Sequence, residues 1–185
     1  MVPILALGAT LALTTTSANA ETYRHRDATK DVWHETVSTV KIAKSDAIGD
    51  IKRFEVNFGK RNLVLRVWYR RVDAKSTLNQ IWWLRGTPGI YGVEYTLADD
   101  VVTLDNSAGT YPTCVNSSVV VDAKRDVTTA KIPRTCLNSP DRIKVAPKFK
   151  GYYLKPNPAY LSYDLGMVKG IGGSKTKYSP WITAG

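Results

Sequence analysis

Residues 114–136 read CVNSSVVVDAKRDVTTAKIPRTC, and the fold of the chain is best understood outward from this stretch. Two runs rich in Val, Thr and Ile flank the polar tetrad Asp122 to Arg125, a pattern that is typical of a β-hairpin. Cys114 and Cys136 bracket the hairpin and are the two cysteines of the chain, so a single intramolecular pairing is open to them. We therefore predict a hairpin whose open end is closed by a Cys114–Cys136 disulfide.

A second hairpin is predicted upstream of the first. Residues 54–58 and 63–69 alternate with period two, and a turn at residues 59–62 joins the two runs. In the second run the alternation turns Leu63, Leu65 and Val67 toward a core. Trp68 therefore falls on the opposite face of that strand.

The remaining strand signals are short and widely distributed. They are predicted at residues 36–43, 78–85, 90–97, 101–104, 142–149 and 160–165, and the polar residues 21–32 are expected to form an extended lead-in. Pro147 predicts that its strand is an edge or carries a bulge. Short strands separated by turn signals, without a sustained helical period, indicate an antiparallel sandwich or barrel. We predict one all-β domain over residues 21–185, a single antiparallel β-sandwich.

Residues 1–20 carry the pattern of a secretory signal peptide. Val2 to Leu13 is a short apolar run, and Ala18-Asn19-Ala20 fits a small-x-small cleavage site. The run is too short to span a bilayer, and no transmembrane segment is predicted elsewhere. We expect a secreted, extracellular protein, in which a disulfide persists. A buried N-terminal helix is the alternative interpretation of this stretch.

The charge balance predicts the class of partner. Lys and Arg number 26 against 16 Asp and Glu, which gives a formal net charge of +10. A basic exported domain is expected to meet an envelope glycan or another anionic polymer. Because the basic residues are scattered, solubility alone is the alternative. Charge and aromatics would also suit a single-stranded nucleic acid, but export argues against that partner. The oligomeric state is left open.

Several short motifs occur in order along the chain. They are an Asp-x-x-x-Asp-Val-Trp start, an Asp-x-x-Gly-Asp-Ile turn, a Leu-rich hairpin, two cysteines around a later hairpin, and an aromatic-Ser-Pro end. In this order they resemble a broad group of uncharacterised secreted proteins from actinobacteria. The resemblance implies a jelly-roll-like or carbohydrate-binding-like β-sandwich and no established activity. The chain departs from the group at Lys30, where a glycine is usual, and in its positive charge. The motifs stand at Asp27, Asp31, Val32 and Trp33, at Asp46, Gly49, Asp50 and Ile51, at Cys114 and Cys136, and at Tyr178, Ser179 and Pro180.

No catalytic motif is found in the sequence. Its two histidines are His25 and His34, and it contains no nucleophile elbow, zinc pair or phosphate-binding loop. A glycosidase would need two facing carboxylates, and nothing in the sequence identifies such a pair. We therefore predict a protein that is not an enzyme and has no catalytic residues.

A structural calcium ion is the one cofactor considered. Hard cations prefer several oxygen ligands, and four aspartates would supply them if the N-terminal segment packs near the first long hairpin. Turn-capping carboxylates are the alternative, because the sequence has no contiguous calcium-binding loop. The four candidate ligands are Asp27, Asp31, Asp46 and Asp50.

Trp68 is the most informative position for binding. An indole on the solvent face of a strand, between two arginines, is suited to stacking on a sugar while the guanidinium groups contact anions. The alternative is that a loop covers Trp68 and the arginines reach past it to solvent. The predicted contact set is Arg66, Trp68, Arg70 and Trp82, with Tyr69 or Trp83 as extensions if the two strands are neighbours.

Three functional hypotheses follow. The first is a secreted, non-catalytic binding module for a glycan or anionic polymer of the envelope. The second is an extracellular hydrolase with an unrecognised carboxylate pair. The third is a protein-interaction domain that uses an exposed edge strand.

Overall fold

Thirteen β-strands make up most of the structure, a computed structural model that describes residues 20–36, 38–72, 79–86, 89–96, 102–106, 113–153, 160–168 and 176–185. Residues 1–19 of the predicted signal peptide lie outside the described part. In chain order the strands are β1 (Glu21–Arg26), β2 (Trp33–Glu35), β3 (Val40–Ile42), β4 (Ile51–Phe58), β5 (Asn62–Tyr69), β6 (Asn79–Gly86), β7 (Gly89–Thr96), β8 (Val102–Asn106), β9 (Ser118–Asp122), β10 (Val127–Pro133), β11 (Arg142–Tyr153), β12 (Tyr160–Leu165) and β13 (Ile182–Thr183).

The strands form two antiparallel sheets. Sheet A has the order β1-β4-β5-β10-β9, and sheet B has the order β3-β2-β12-β11-β6-β7-β8, with β13 paired to β11. The chain alternates between them, because β1, β4–β5 and β9–β10 belong to sheet A and the intervening strands belong to sheet B. The two sheets pack together, so the prediction of an all-β antiparallel sandwich is confirmed.

The core lies between the two sheets. In β5, Leu63, Leu65 and Val67 are fully buried, as the alternation predicts. Sheet B contributes Trp82, whose ring meets the ring of Phe54 edge-on at a centroid distance of 5.7 Å. Rings of this size bury much apolar surface and favour such tilted arrangements, so this pair helps to fix the two sheets against each other.

The predicted cysteine hairpin is confirmed. β9 and β10 pair from Val127–Asp122 to Lys131–Ser118, and Cys114 and Cys136 are joined by a disulfide at the open end. The turn covers residues 123–126, one residue later than predicted, because Asp122 still pairs within β9.

Two predictions about the N-terminal third are confirmed only in part. The strand expected at residues 36–43 is reduced to β3 (Val40–Ile42), which pairs with β2 just before that range, and Trp33 lies opposite Ile42. The expected lead-in contains β1, which pairs with β4 from Glu21–Phe58 to Arg26–Arg53. β1 is the edge strand of sheet A, so its backbone pairs with β4 while its residues stay exposed or half-buried, which its polar sequence allows.

Pro147 does not mark an edge, since β11 lies inside sheet B between β6 and β12. The carbonyl of Pro147 accepts a hydrogen bond from Gly166 N at 3.1 Å, just beyond the end of β12. Two residues before Pro147, the partner is Ser179: Val145 N donates to Ser179 Oγ, and Ser179 N donates to the carbonyl of Val145. The backbone nitrogen of Pro147 therefore lies between Gly166 and Ser179, where none of the described strands offers an acceptor, and its lack of a hydrogen removes no ladder hydrogen bond.

Candidate functional site

The outer face of sheet A gathers four arginines around one tryptophan. The strand register places Arg26, Arg53 and Trp68 side by side on β1, β4 and β5. Two residues further along each strand, a second row consists of Arg24, Glu55 and Arg66. Residues two apart on a strand share a face, so both rows point away from the core. We call this surface the arginine face and define it by Arg24, Arg26, Arg53, Glu55, Arg66 and Trp68.

Side-chain contacts hold the arginine face in order. The guanidinium carbon of Arg53 lies 4.1 Å from the ring centroid of the half-buried Trp68. Glu55 bonds Arg24 Nε at 2.7 Å and Arg66 Nη1 at 2.9 Å. Partial burial alone would raise the pKa of Glu55, but the two arginines outweigh it and hold that pKa below its usual range. Four guanidinium groups thus face solvent with a single carboxylate among them.

Two open hollows meet at Trp68. One has a volume of about 490 Å³ and is lined by Arg24, Arg53 and Glu55 among others. The second, of about 380 Å³, lies on the side of β9 and β10 and is lined by Arg66 and Arg125 among others. Trp68 lines both, so the two hollows lie side by side on the outer face of sheet A, and Asp122 adds a second carboxylate at the far side.

The structure brings together only half of the predicted contact set. Arg66 and Trp68 lie on the arginine face, whereas Trp82 is fully buried between the sheets and is wrong as a surface contact. Arg70 turns away from Trp68 and bonds Asp50, so it is wrong as part of the platform. Tyr69 is also buried, and β5 and β6 belong to different sheets. Sequence reasoning missed Arg53, whose position over Trp68 depends on the pairing of β4 with β5.

A second group of side chains lies between the sheets. One side-chain oxygen from each of Asp31, Asp50 and Asp164 lies within 4.8 Å of the other two, and all three residues are buried. Asp27 is close enough for its charge to act on Asp164. We call Asp27, Asp31, Asp50 and Asp164 the carboxylate cluster.

Local backbone geometry places Asp50 in the cluster. It follows Gly49, which has a φ of +76°, and its carbonyl accepts a hydrogen bond from Arg70 N at 2.8 Å. Its Oδ2 accepts hydrogen bonds from Arg70 Nη1 at 2.8 Å and from Lys30 N at 2.9 Å. Lys30 has a φ of +67°, in the left-handed region that favours glycine, so the lysine at this turn is strained.

The cluster is only partly satisfied by these bonds. Asp164 Oδ2 accepts a hydrogen bond from Ile51 N at 2.5 Å. The Oδ1 atoms of Asp50 and Asp164 accept none from any residue that the structure describes. Burial and then the charge of Asp31 raise the pKa of Asp27 to about 8. Burial and then the charge of Asp27 raise the pKa of Asp164 well above its usual range.

The four aspartates of the predicted calcium set are only partly brought together. Asp27, Asp31 and Asp50 do converge, but Asp46 lies apart from them and bonds His34 Nε2 at 2.8 Å and Ile48 N at 3.0 Å. Asp46 therefore caps the turn before β4, as the alternative interpretation proposed for all four. The carboxylate that sequence reasoning missed is Asp164, which reaches the cluster from sheet B.

The carboxylates that approach one another do not form an accessible pair. Asp31, Asp50 and Asp164 have exposed fractions of 4%, 0% and 0%, and they line neither of the hollows at Trp68. Asp50 and Asp164 thus have no contact with bulk solvent, whereas the substrate of a glycosidase must reach two carboxylates.

Among the residues described, no helix is long and apolar enough to cross a membrane. No protein-family model, curated protein or solved structure matches the chain. The geometry of the arginine face and of the carboxylate cluster is therefore the basis for assigning a function.

Proposed function

We propose that the protein is an exported, non-catalytic binding module that holds an anionic polymer of the cell envelope on the arginine face. The observation that carries the proposal is the set of four outward guanidinium groups with one carboxylate among them, ordered around Trp68 on a single sheet. Guanidinium groups bind carboxylates and phosphates through paired hydrogen bonds, which makes anions the preferred ligands of such a surface.

The shape of the face favours an extended ligand. Neighbouring strands lie about 4.8 Å apart, and residues two apart along a strand lie about 6.7 Å apart. The arginines therefore repeat at intervals that suit successive charged groups of a polymer. The hollows at Trp68 are open, and they run across the strands of sheet A.

The position of Arg53 favours a charged ligand over a neutral sugar. Its guanidinium lies over the indole of Trp68, so a sugar ring could stack there only by displacing it. In this arrangement Trp68 serves as the platform that holds Arg53 toward solvent. The formal net charge of +10 adds long-range attraction for an anionic partner.

Retention on two polysaccharide matrices tests the proposal. Polygalacturonate carries a carboxylate on each sugar, and dextran carries no charge. We expect retention on polygalacturonate at low ionic strength, release at about 1 M NaCl where screening is strong, and no retention on dextran. Arg53→Ala and Arg66→Ala should each weaken binding by up to about 5-fold, the range for an exposed ion pair.

Arg142→Ala is the matched control. Arg142 also lies over a tryptophan, with its guanidinium carbon 4.6 Å from the ring centroid of Trp181, but it belongs to β11 of sheet B. Arg142→Ala removes the same charge and the same kind of contact as Arg53→Ala. Because Arg142 lies on the other sheet, away from the arginine face, this variant should leave the affinity nearly unchanged. Equal losses for Arg142→Ala and Arg53→Ala would show that net charge alone drives binding and would overturn the assignment to the arginine face.

A further inference from the structure

We propose that Asp31, Asp50 and Asp164 bind a calcium ion that fastens the two sheets together. Asp31 lies in the link from β1 to β2, and Asp50 directly precedes β4 of sheet A. Asp164 lies in β12 of sheet B. The site is separate from the arginine face, and its existence does not depend on the proposed function.

The first argument is the distance between the oxygens. One oxygen from each of the three carboxylates lies within 4.8 Å of the other two. Calcium binds oxygen at about 2.3 to 2.6 Å, so two ligands on opposite sides of one ion lie about 4.6 to 5.2 Å apart. The spacing of the three oxygens is therefore compatible with one ion that contacts all three side chains.

The second argument is the state of the buried oxygens. Asp50 and Asp164 are fully buried, and the Oδ1 atom of each accepts no hydrogen bond from the described residues. Buried carboxylate oxygens are normally hydrogen-bonded or coordinated to a metal, because desolvating them without a partner is costly. Two such oxygens belong to this one cluster, and a metal ion would supply the partner that each of them lacks.

The third argument is the balance of charge. Arg70 forms an ion pair with Asp50, and its guanidinium is directed to Oδ2 of that residue and also toward the carbonyls of Lys44 and Asp46. The positive charge of Arg70 offsets one carboxylate, whereas three come together here and Asp27 lies nearby. A divalent cation with oxygen ligands matches the remaining charge, and the all-oxygen set favours a hard cation such as calcium.

Calorimetric titration of the chelator-treated protein with CaCl₂ tests the site directly. We expect one ion per chain, with a Kd between about 0.1 μM and 1 mM, the range of sensor and extracellular calcium sites. At a calcium concentration about 100 times Kd, the ratio of folded to unfolded protein should rise about 100-fold, which is measured from denaturant unfolding. MgCl₂ in the same titration should bind at least about 10-fold more weakly, because magnesium demands shorter, octahedral coordination.

Three variants assign the ligands. Asp31→Asn and Asp164→Asn should each weaken calcium binding at least about 10-fold, and Asp46→Asn, which alters a carboxylate outside the cluster, should leave it unchanged. Asp31 lies in a loop, so its variant is the safer one if Asp164→Asn fails to fold. The absence of binding by the unaltered protein at about 10 mM calcium, well above that range, would overturn the proposal. So would full binding by both cluster variants, and tighter binding of magnesium would overturn the choice of calcium.

Discussion

Gly49 is the residue at which the smallest change should have the largest effect. Its φ is +76°, and a Cβ placed on it would lie 1.9 Å from Cε1 of Phe149, whose ring is fully buried in the core. Gly49→Ala therefore introduces a left-handed alanine and a steric clash at once. Because Gly49 directly precedes Asp50, the same change disturbs the turn that positions the carboxylate cluster.

The magnitude follows from these two effects. A non-glycine residue in the left-handed region is destabilised by about 1 to 2 kcal/mol, and overpacking a core by about 1 to 3 kcal/mol. The expected loss in the free energy of unfolding is thus about 2 to 5 kcal/mol, out of about 5 to 15 kcal/mol for a typical domain. For a chain of this size that corresponds to a fall in Tm of roughly 5 to 20 °C.

Guanidinium chloride unfolding of Gly49→Ala measures this loss, with Gly59→Ala as the control. Gly59 lies in the turn between β4 and β5, and the atoms nearest to its added Cβ would be 3.6 Å away. That variant should lose little stability. Combining Gly49→Ala with Phe149→Leu should recover about 1 kcal/mol or more of the expected additive loss, because part of the clash disappears. A Gly49→Ala protein that unfolds at the same denaturant concentration as the unaltered protein would refute the reasoning.

Three further predictions concern other parts of the molecule. Lys30→Gly should raise the free energy of unfolding by up to about 1 kcal/mol in a denaturant titration, because glycine adopts the left-handed conformation without strain. Lys30→Ala should give no such gain, and a lower free energy of unfolding for Lys30→Gly would contradict the prediction. Glu55→Gln frees two arginines and should tighten binding of polygalacturonate by up to about 5-fold at low salt, and weaker binding would count against the arginine face. Replacing Cys114 and Cys136 by alanine should lower the free energy of unfolding by about 3 kcal/mol, since their separation is 22 residues; an unchanged unfolding midpoint would argue against this.

Local patterns were sufficient for much of the fold. Period-two alternation assigned the buried and exposed faces of β5 correctly, because one face of that strand meets an apolar core and the other meets solvent. The cysteine spacing and the turn between them were sufficient for the hairpin and its disulfide, since both are short-range features. Alternation failed in the region of residues 33–42, where two strands of three residues are too short to show a period.

Asp164 shows why the carboxylate cluster could be predicted only in part. In β12, Ser162 and Asp164 are buried, and the larger apolar residues Leu161, Tyr163 and Leu165 are only half-buried on the other face. From this alternation of apolar and polar residues, one would predict that Asp164 faces solvent and the apolar residues face the core. Tyr163 instead stacks on Trp33 of β2, with ring centroids 5.4 Å apart, so that the outer face of sheet B retains aromatic cover.

The sequence by itself determined the class of the fold, the disulfide, the basic charge and the outward direction of Arg66 and Trp68, because each depends on composition or on neighbours along the chain. Only the tertiary structure decided that Arg53 covers Trp68 and that Asp164 joins Asp31 and Asp50. Ile51 and Asp164 are 113 residues apart in the chain and meet through a hydrogen bond between the two sheets. Such a contact depends on how the sheets are paired and packed, and local side-chain periodicity carries no information about that arrangement.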